Sequence, residues 1–476
     1  MHGRLRCTAA ILVAAATLAV PGTAGAAPGT GTDPGTFAVP GTAGTARGTV
    51  LTVPGTGAGA ARDLAGAASG TVGAGAAPVV SDAGRHCPRL SAKLDWYGDN
   101  RAELQRVIDR RGTCAGERRS GDRPPVAVFD WDNTVTKNDV TDATLAWALR
   151  NDKLLRPQRW GDRSQWLSPA AERALTRACG TATGPRETLP TSTDTACADE
   201  IFEIRENAAT MSGAPAFTGE WDHRRTVPEY AWVPQLFSGR TPAELRGYAR
   251  QAREKSLAAP VGSTQTVGTR TLPGYVRYYP QQADLIRTLR SAGFDVYIVS
   301  AGSEPVTEVW SAGVGIDSEH TIAIRSVLDR GRITSRNEGC GGTPASKGAD
   351  IPYIDGKRCR INEEVFGVTG AAAWERQEPA RRIALGSGDA DTDVTFVGDA
   401  TDARLVLNRN KSEIMCRAYD DADGRWLVNP MFIEPLAPKP DRYACSTAGY
   451  TRPDGATGPV RRDDGSVIPD QADTAH

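Results

Sequence analysis

Three segments of the chain share one hydropathy pattern: a short continuous apolar run that ends in a reactive polar residue. Pro125-Val126-Ala127-Val128-Phe129 ends at Asp130, Phe294-Asp295-Val296-Tyr297-Ile298-Val299 ends at Ser300, and Arg382-Ile383-Ala384-Leu385-Gly386 stops just short of Asp389. Runs of this kind, bounded by Gly or Pro, suit parallel strands buried on both faces. Around them the apolar spacing lengthens to the helical period. Residues 281–292 put Leu285, Ile286 and Leu289 on one face, and Gly293 follows as a stop. Residues 304–312, 169–178, 198–211 and 394–407 read as further helices, and Thr241-Pro242-Ala243-Glu244 is a capping box with Pro in the first turn. Strand and helix alternate, which predicts an α/β fold around a mostly parallel sheet. In such sheets ligands bind beyond the carboxyl ends of the strands, the edge to which all three runs deliver a polar residue.

The two ends of the chain break this pattern. Residues 1–26 have a short basic start (His2, Arg4, Arg6), an apolar stretch over 8–20 and the small residues Ala24-Gly25-Ala26, the form of a secretory signal. That stretch is well short of the ~20 residues that span a bilayer, so no stable membrane insertion is expected. Residues 27–85 are rich in Gly, Ala and Thr and repeat Pro-Gly-Thr, as flexible spacers do. Residues 452–476 are polar and Pro/Gly/Asp-rich and predict a disordered tail. The formal net charge of −1 offers no basic excess to neutralise phosphates, so nucleic acid is not an expected partner. No segment marks a protein partner.

The polar residues at the run ends suit phosphoryl chemistry. In Asp130-Trp131-Asp132-Asn133-Thr134 two carboxylates stand two residues apart at a strand end. One can attack phosphorus, and the other can protonate the leaving alcohol and then activate water. A dianionic substrate beside carboxylates calls for a cation, and Mg2+ favours carboxylates together with phosphate oxygens. Ser300 offers a hydroxyl to a phosphoryl oxygen. Asp389 suits a metal ligand, and Asp393 suits support of the metal or of a lysine. That lysine is Lys357, in Asp355-Gly356-Lys357-Arg358, or Lys347. A rival for the last block is Asp399, which ends another apolar run, Val394-Thr395-Phe396-Val397-Gly398.

In this order the motifs resemble the haloacid dehalogenase-like (HAD) superfamily, and within it the secreted phosphorylcholine phosphatases and phosphoserine-phosphatase-like members. The resemblance covers most of residues 86–435. It implies a HAD Rossmann-like core over 86–139 and 281–451, with a large, mainly helical cap over 140–280 inserted between the first and second motifs. It implies Asp130 as nucleophile, Asp132 as general acid/base, Ser300 and Lys357 as phosphoryl-binding groups, and Mg2+ held by the Asp130 carboxylate, the Asp132 carbonyl and Asp389. Thr134 and Asp393 would support them. An acid at position 132 favours a phosphomonoester hydrolase over the dehalogenases and ion pumps of the superfamily. The implied substrate is a small phosphomonoester, with phosphocholine one candidate. A broader acid phosphatase or nucleotidase, and a non-catalytic wall-associated protein, are the alternatives. Choline recognition calls for aromatic faces and carboxylates. Trp131, beside the nucleophile, and Asp142 are candidates to line the pocket. Trp147, Trp160, Trp166, Trp221 and Trp232 read more simply as cap core.

Of nine cysteines, Cys7 lies in the leader and eight remain. An even set in an exported chain predicts disulfides, and the spacings suggest neighbours: 87–114, 179–197, 340–359 and 416–445. The third pair would brace the segment carrying Lys357.

Overall fold

The first apolar run forms strand β1, Val126–Phe129, buried at all four positions. The computed structural model describes residues 87–115 and 123–476, so the expected leader and spacer lie outside the described residues. The next strands are β2 (Asp295–Ser303), β3 (Thr321–Ile324), β4 (Leu385–Gly388), β5 (Ala403–Asn408) and β6 (Trp426–Pro430). They form one parallel sheet in the order β6-β5-β4-β1-β2-β3. Phe129 stands level with Ile298 of β2 and Ser387 of β4, so the residues that follow emerge side by side at one edge. The predicted α/β class and parallel sheet are therefore what the chain adopts.

One predicted helix, over residues 394–407, is wrong in its second half. The helix is only Val394–Asp399, and β5 begins at Ala403. Ala400 turns extended after Gly398-Asp399, and every residue of β5 is buried. A continuous apolar stretch covered on both faces forms a parallel strand, although Leu405-Val406-Leu407 alone could be read either way.

Between β1 and β2 the chain makes a long excursion through five helices: Val140–Arg150, Pro169–Cys179, Thr195–Asn207, Pro228–Leu236 and Pro242–Ala258. Its neck is a two-residue antiparallel ribbon in which Thr136 pairs with Tyr278 and Lys137 with Arg277. The Thr241 capping box forms as expected. Trp160, Trp166 and Trp232 are buried, and Trp147 and Trp221 pack against the same apolar cluster. That cluster runs without a break from the insertion to Trp131, Ile298 and Leu385 of the sheet domain.

The final segment also departs from expectation. Residues 452–476 are packed, not loose: Val460, Ile468 and Ala475 are buried, and Tyr450-Thr451 pairs with Thr457-Gly458. Asn408, at the end of β5, donates from Nδ2 to the Asp473 carboxylate and the Ala475 carbonyl at 2.8 Å each. Few but well-placed apolar residues, and side chains that bond the backbone, hold a segment whose composition alone reads as a tail. All eight cysteines pair as their spacing suggested, with Cα separations of 5.0, 4.7, 6.2 and 5.6 Å. Among the described residues no helix is long and apolar enough to cross a membrane.

Candidate active site

Asp130 leaves β1 with its backbone N–H on the Ser387 carbonyl of β4, which aims its side chain past the sheet edge. Lys357 comes from the short helix Asp355–Arg360 and is wholly buried. Its Nζ donates to Asp130 Oδ1 at 2.6 Å and to Asp393 Oδ1 at 2.5 Å. Burial works against its charge, but the two carboxylates outweigh it and hold the ammonium well above the usual lysine range. Asp393 Oδ2 in turn accepts the backbone N–H groups of Asp389 and Ala390. Thr134 Oγ1 lies 2.7 Å from Asp389 Oδ1 and 3.1 Å from Asp130 Oδ2, and its single proton serves the nearer.

The remaining motif residues meet at the same place. Ser300 is buried, and its Oγ accepts the Gly302 N–H at 3.0 Å, leaving its own proton for a ligand. Asp132 Oδ1 accepts the Val140 N–H at 2.7 Å. Burial, with the Asp139 charge beside it, pushes the Asp132 carboxyl well above the usual carboxylate range. Asp130 is also raised, by burial and by Asp393, against the pull of Lys357.

Asp130, Asp132, Ser300 and Asp389 open on a cavity of about 440 Å³ between the sheet edge and the insertion. Asp142 lines it but is engaged: Arg205 Nε donates to its Oδ1 at 3.0 Å and Nη2 to its Oδ2 at 3.3 Å. Burial lifts Asp142 to about 7 even with Arg205 opposing. The Arg205 guanidinium also covers the Tyr230 ring at 4.5 Å. Trp131 does not line the cavity. It is fully buried in the apolar cluster, edge-on to Tyr278, because the strand geometry that turns Asp130 outward sends its neighbour to the opposite face.

Two choices left open by the sequence are now separated in space. Lys347 meets the fold through its carbonyl, which accepts from Gln235, whereas Lys357 bonds Asp130 and Asp393 directly. Asp399 accepts from Arg358 at 2.6 and 2.8 Å and lines a different depression. One central group was missed: Arg409 Nη1 donates to Asp389 Oδ2 at 2.6 Å. It follows β5, a run of the same form as the other three, but that run had been read as helix. Arg205 carried no signal, because a helix's buried face cannot be told to end in a cavity.

The set fits a divalent cation. Asp130, Asp389 and Asp393 place carboxylate oxygens within 4.8 Å of one another, all buried. Among the described residues these three hard oxygen donors are paired with two cations, Lys357 and Arg409.

With four motif blocks gathered at the carboxyl edge of one parallel sheet, and an insertion after the first, the architecture is decided. The fold is HAD-like. A conserved protein of unknown function from Anaerococcus prevotii is 19% identical, with a TM-score of 0.50 over 72% of this chain and 94% of that one, and shares this fold. A protein of unknown function from Bordetella pertussis is 19% identical (TM-score 0.37; 64% and 98% covered). A HAD family hydrolase from Salmonella enterica is 11% identical (TM-score 0.30; 60% and 63% covered). No protein-family model matches the chain, and no curated protein matches it.

Proposed function

We propose that this HAD-like chain is a Mg2+-dependent phosphomonoesterase that acts on a small organic phosphate through an aspartyl-phosphate on Asp130. The observation that carries this reading is the buried triad Asp130–Lys357–Asp393 at the end of the central strand, with a second buried carboxyl, Asp132, two residues on. In the proposed reaction the Asp130 carboxylate attacks phosphorus. The ester P–O bond breaks, and Asp132 gives its proton to the departing alkoxide. Asp132 then takes a proton from water, whose oxygen attacks the aspartyl-phosphate and frees Asp130 and inorganic phosphate. Ser300 and Lys357 bind the phosphoryl oxygens, and Thr134 and Asp393 keep Asp389 and Lys357 in place. Asp130, Asp389 and the Asp132 carbonyl would hold Mg2+, which when bound offsets the charge of the phosphoryl group.

Substrate choice falls to the insertion. Tyr230 and the carboxylates of Asp139 and Asp142 favour a cationic headgroup such as choline, whereas Arg205 over the Tyr230 ring already occupies one aromatic face. Four disulfides support an oxidising destination, in keeping with export. The test is steady-state phosphate release from a panel of phosphomonoesters, phosphocholine included, with and without Mg2+. Release that needs Mg2+ and vanishes in Asp130→Asn is expected. A flat substrate profile would replace the choline candidate with broad phosphate scavenging, and no release at all would leave a non-catalytic protein.

A further inference from the structure

The insertion begins with helix Val140–Arg150, whose first turn faces the cavity. Thr141, its second residue, lines that cavity and is only 5% exposed, yet its Oγ1 has no hydrogen-bond partner in the protein. Leaving a buried hydroxyl unpaired is costly. The flanking N–H groups of the helix start are taken. The Val140 N–H goes to Asp132, the Asp142 N–H to the Asp139 side chain, and the Ala143 N–H to the Asp139 carbonyl. The helix has no acceptor of its own for the Thr141 N–H, so this residue brings an amide and a hydroxyl together at the positive end of a helix.

Gly302 sets where that hydroxyl stands. A Cβ built on Gly302 would lie 2.5 Å from Thr141 Oγ1 and 3.2 Å from Ser300 Oγ. The missing side chain therefore lets the insertion bring the Thr141 hydroxyl up to the Ser300 hydroxyl, across the backbone of β2. Two hydroxyls, one with its proton free and one wholly unpaired, then line one cavity together with Asp130 and Asp132.

From this we infer that Thr141 is a substrate-binding residue whose hydroxyl donates to a non-bridging phosphoryl oxygen next to Ser300. The inference rests on the phosphatase reading and deepens it. The anion is held from both sides, by β2 and by the insertion, so the insertion senses the phosphoryl group itself as well as the leaving group.

The test uses Thr141→Val, which keeps the shape and removes the hydroxyl, with Thr141→Ser as the conservative control. Kinetics are followed on the best phosphomonoester of the panel, and inorganic phosphate serves as competitive inhibitor. Removing an unpaired buried hydroxyl should raise the melting temperature of the free protein. It should also raise KM and the phosphate inhibition constant about tenfold, the loss of one hydrogen bond of ~1.4 kcal/mol, with kcat little changed. Thr141→Ser should stay within about threefold of the wild type, a shift of under ~0.7 kcal/mol. Thr141→Ala, which also removes the hydroxyl, should reproduce the loss and serves if the valine variant does not fold. A valine variant with wild-type KM and phosphate inhibition overturns the inference and leaves the phosphatase reading intact. A serine variant as impaired as valine also overturns it, because the methyl would then be what matters. A wild-type chain that neither releases nor binds phosphate overturns both.

Discussion

Replacing Lys357 by Met is the most severe test of the site, because this one ammonium holds two buried carboxylates. It is fully enclosed and donates to Asp130 at 2.6 Å and to Asp393 at 2.5 Å. A hydrogen bond to a charged group contributes about 1.5–3 kcal/mol, so the two together contribute about 3–6 kcal/mol. Removing one partner of a buried ion pair costs about 3–5 kcal/mol by itself, in the same range. A unit of roughly 390 residues melts with an entropy of about 0.8 kcal/mol/K, so ~4 kcal/mol lowers Tm by about 5 °C. The loss has a definite pH dependence. Asp130 already sits above its ordinary value through burial and Asp393, and without the ammonium it rises further. A carboxyl whose folded pKa exceeds its unfolded one binds more protons when folded, so it weakens the fold as pH rises between the two values. The Tm deficit should therefore be larger at pH 8 than at pH 5. Scanning calorimetry at the two pH values measures it, and phosphate release should fall at least ~100-fold at either. A deficit below about 1 °C at pH 8, or one that grows toward pH 5, would refute the reasoning.

Two further outcomes follow from the geometry. Asp389→Asn should abolish Mg2+-dependent turnover, whereas Asp399→Asn, which loosens Arg358 and Arg376 away from the cavity, should lower Tm and leave kcat unchanged. Turnover assays and melting curves on both variants separate the two blocks, and the opposite pattern would move the metal site. Ending the chain at Thr451 removes buried Val460 and Ile468, worth about 1.5–3 kcal/mol each, and should give a protein that melts several degrees lower or fails to accumulate.

Much of the sheet domain could be read from the chain alone, because a strand buried on both faces leaves an uninterrupted apolar signature and its last residue is addressed to a known edge. That logic found Asp130, Ser300 and Asp389. It also contained Arg409, but Leu405-Val406-Leu407 is too short for periodicity to tell strand from helix. Asp393 follows from its spacing after Asp389, whereas Lys357 stood apart from Lys347 only through the resemblance of Asp355-Gly356-Lys357 to a family motif. Nothing local reveals which residues of a five-helix insertion turn inward, so Arg205 and Thr141 emerged only with tertiary packing. Trp131 shows the limit from the other side: adjacency in sequence to a site residue means opposite faces in extended chain. The closing residues 452–476 were misread because composition counts apolar residues but not where they land.

The sheet order has a consequence for how the molecule can assemble. Ala127 of β1 must find Leu385 on one side and Val296 on the other, so the central strand waits through the entire insertion for its first neighbour and far longer for its second. The disulfides behave oppositely, since each closes a stretch of no more than 29 residues. Oxidation can thus run locally and early, whereas the catalytic edge is a late product of long-range pairing. Until β4 arrives, β1 offers an apolar strand edge with no partner there, which makes the interval before Leu385 is made the stage at which this chain is most exposed to aggregation.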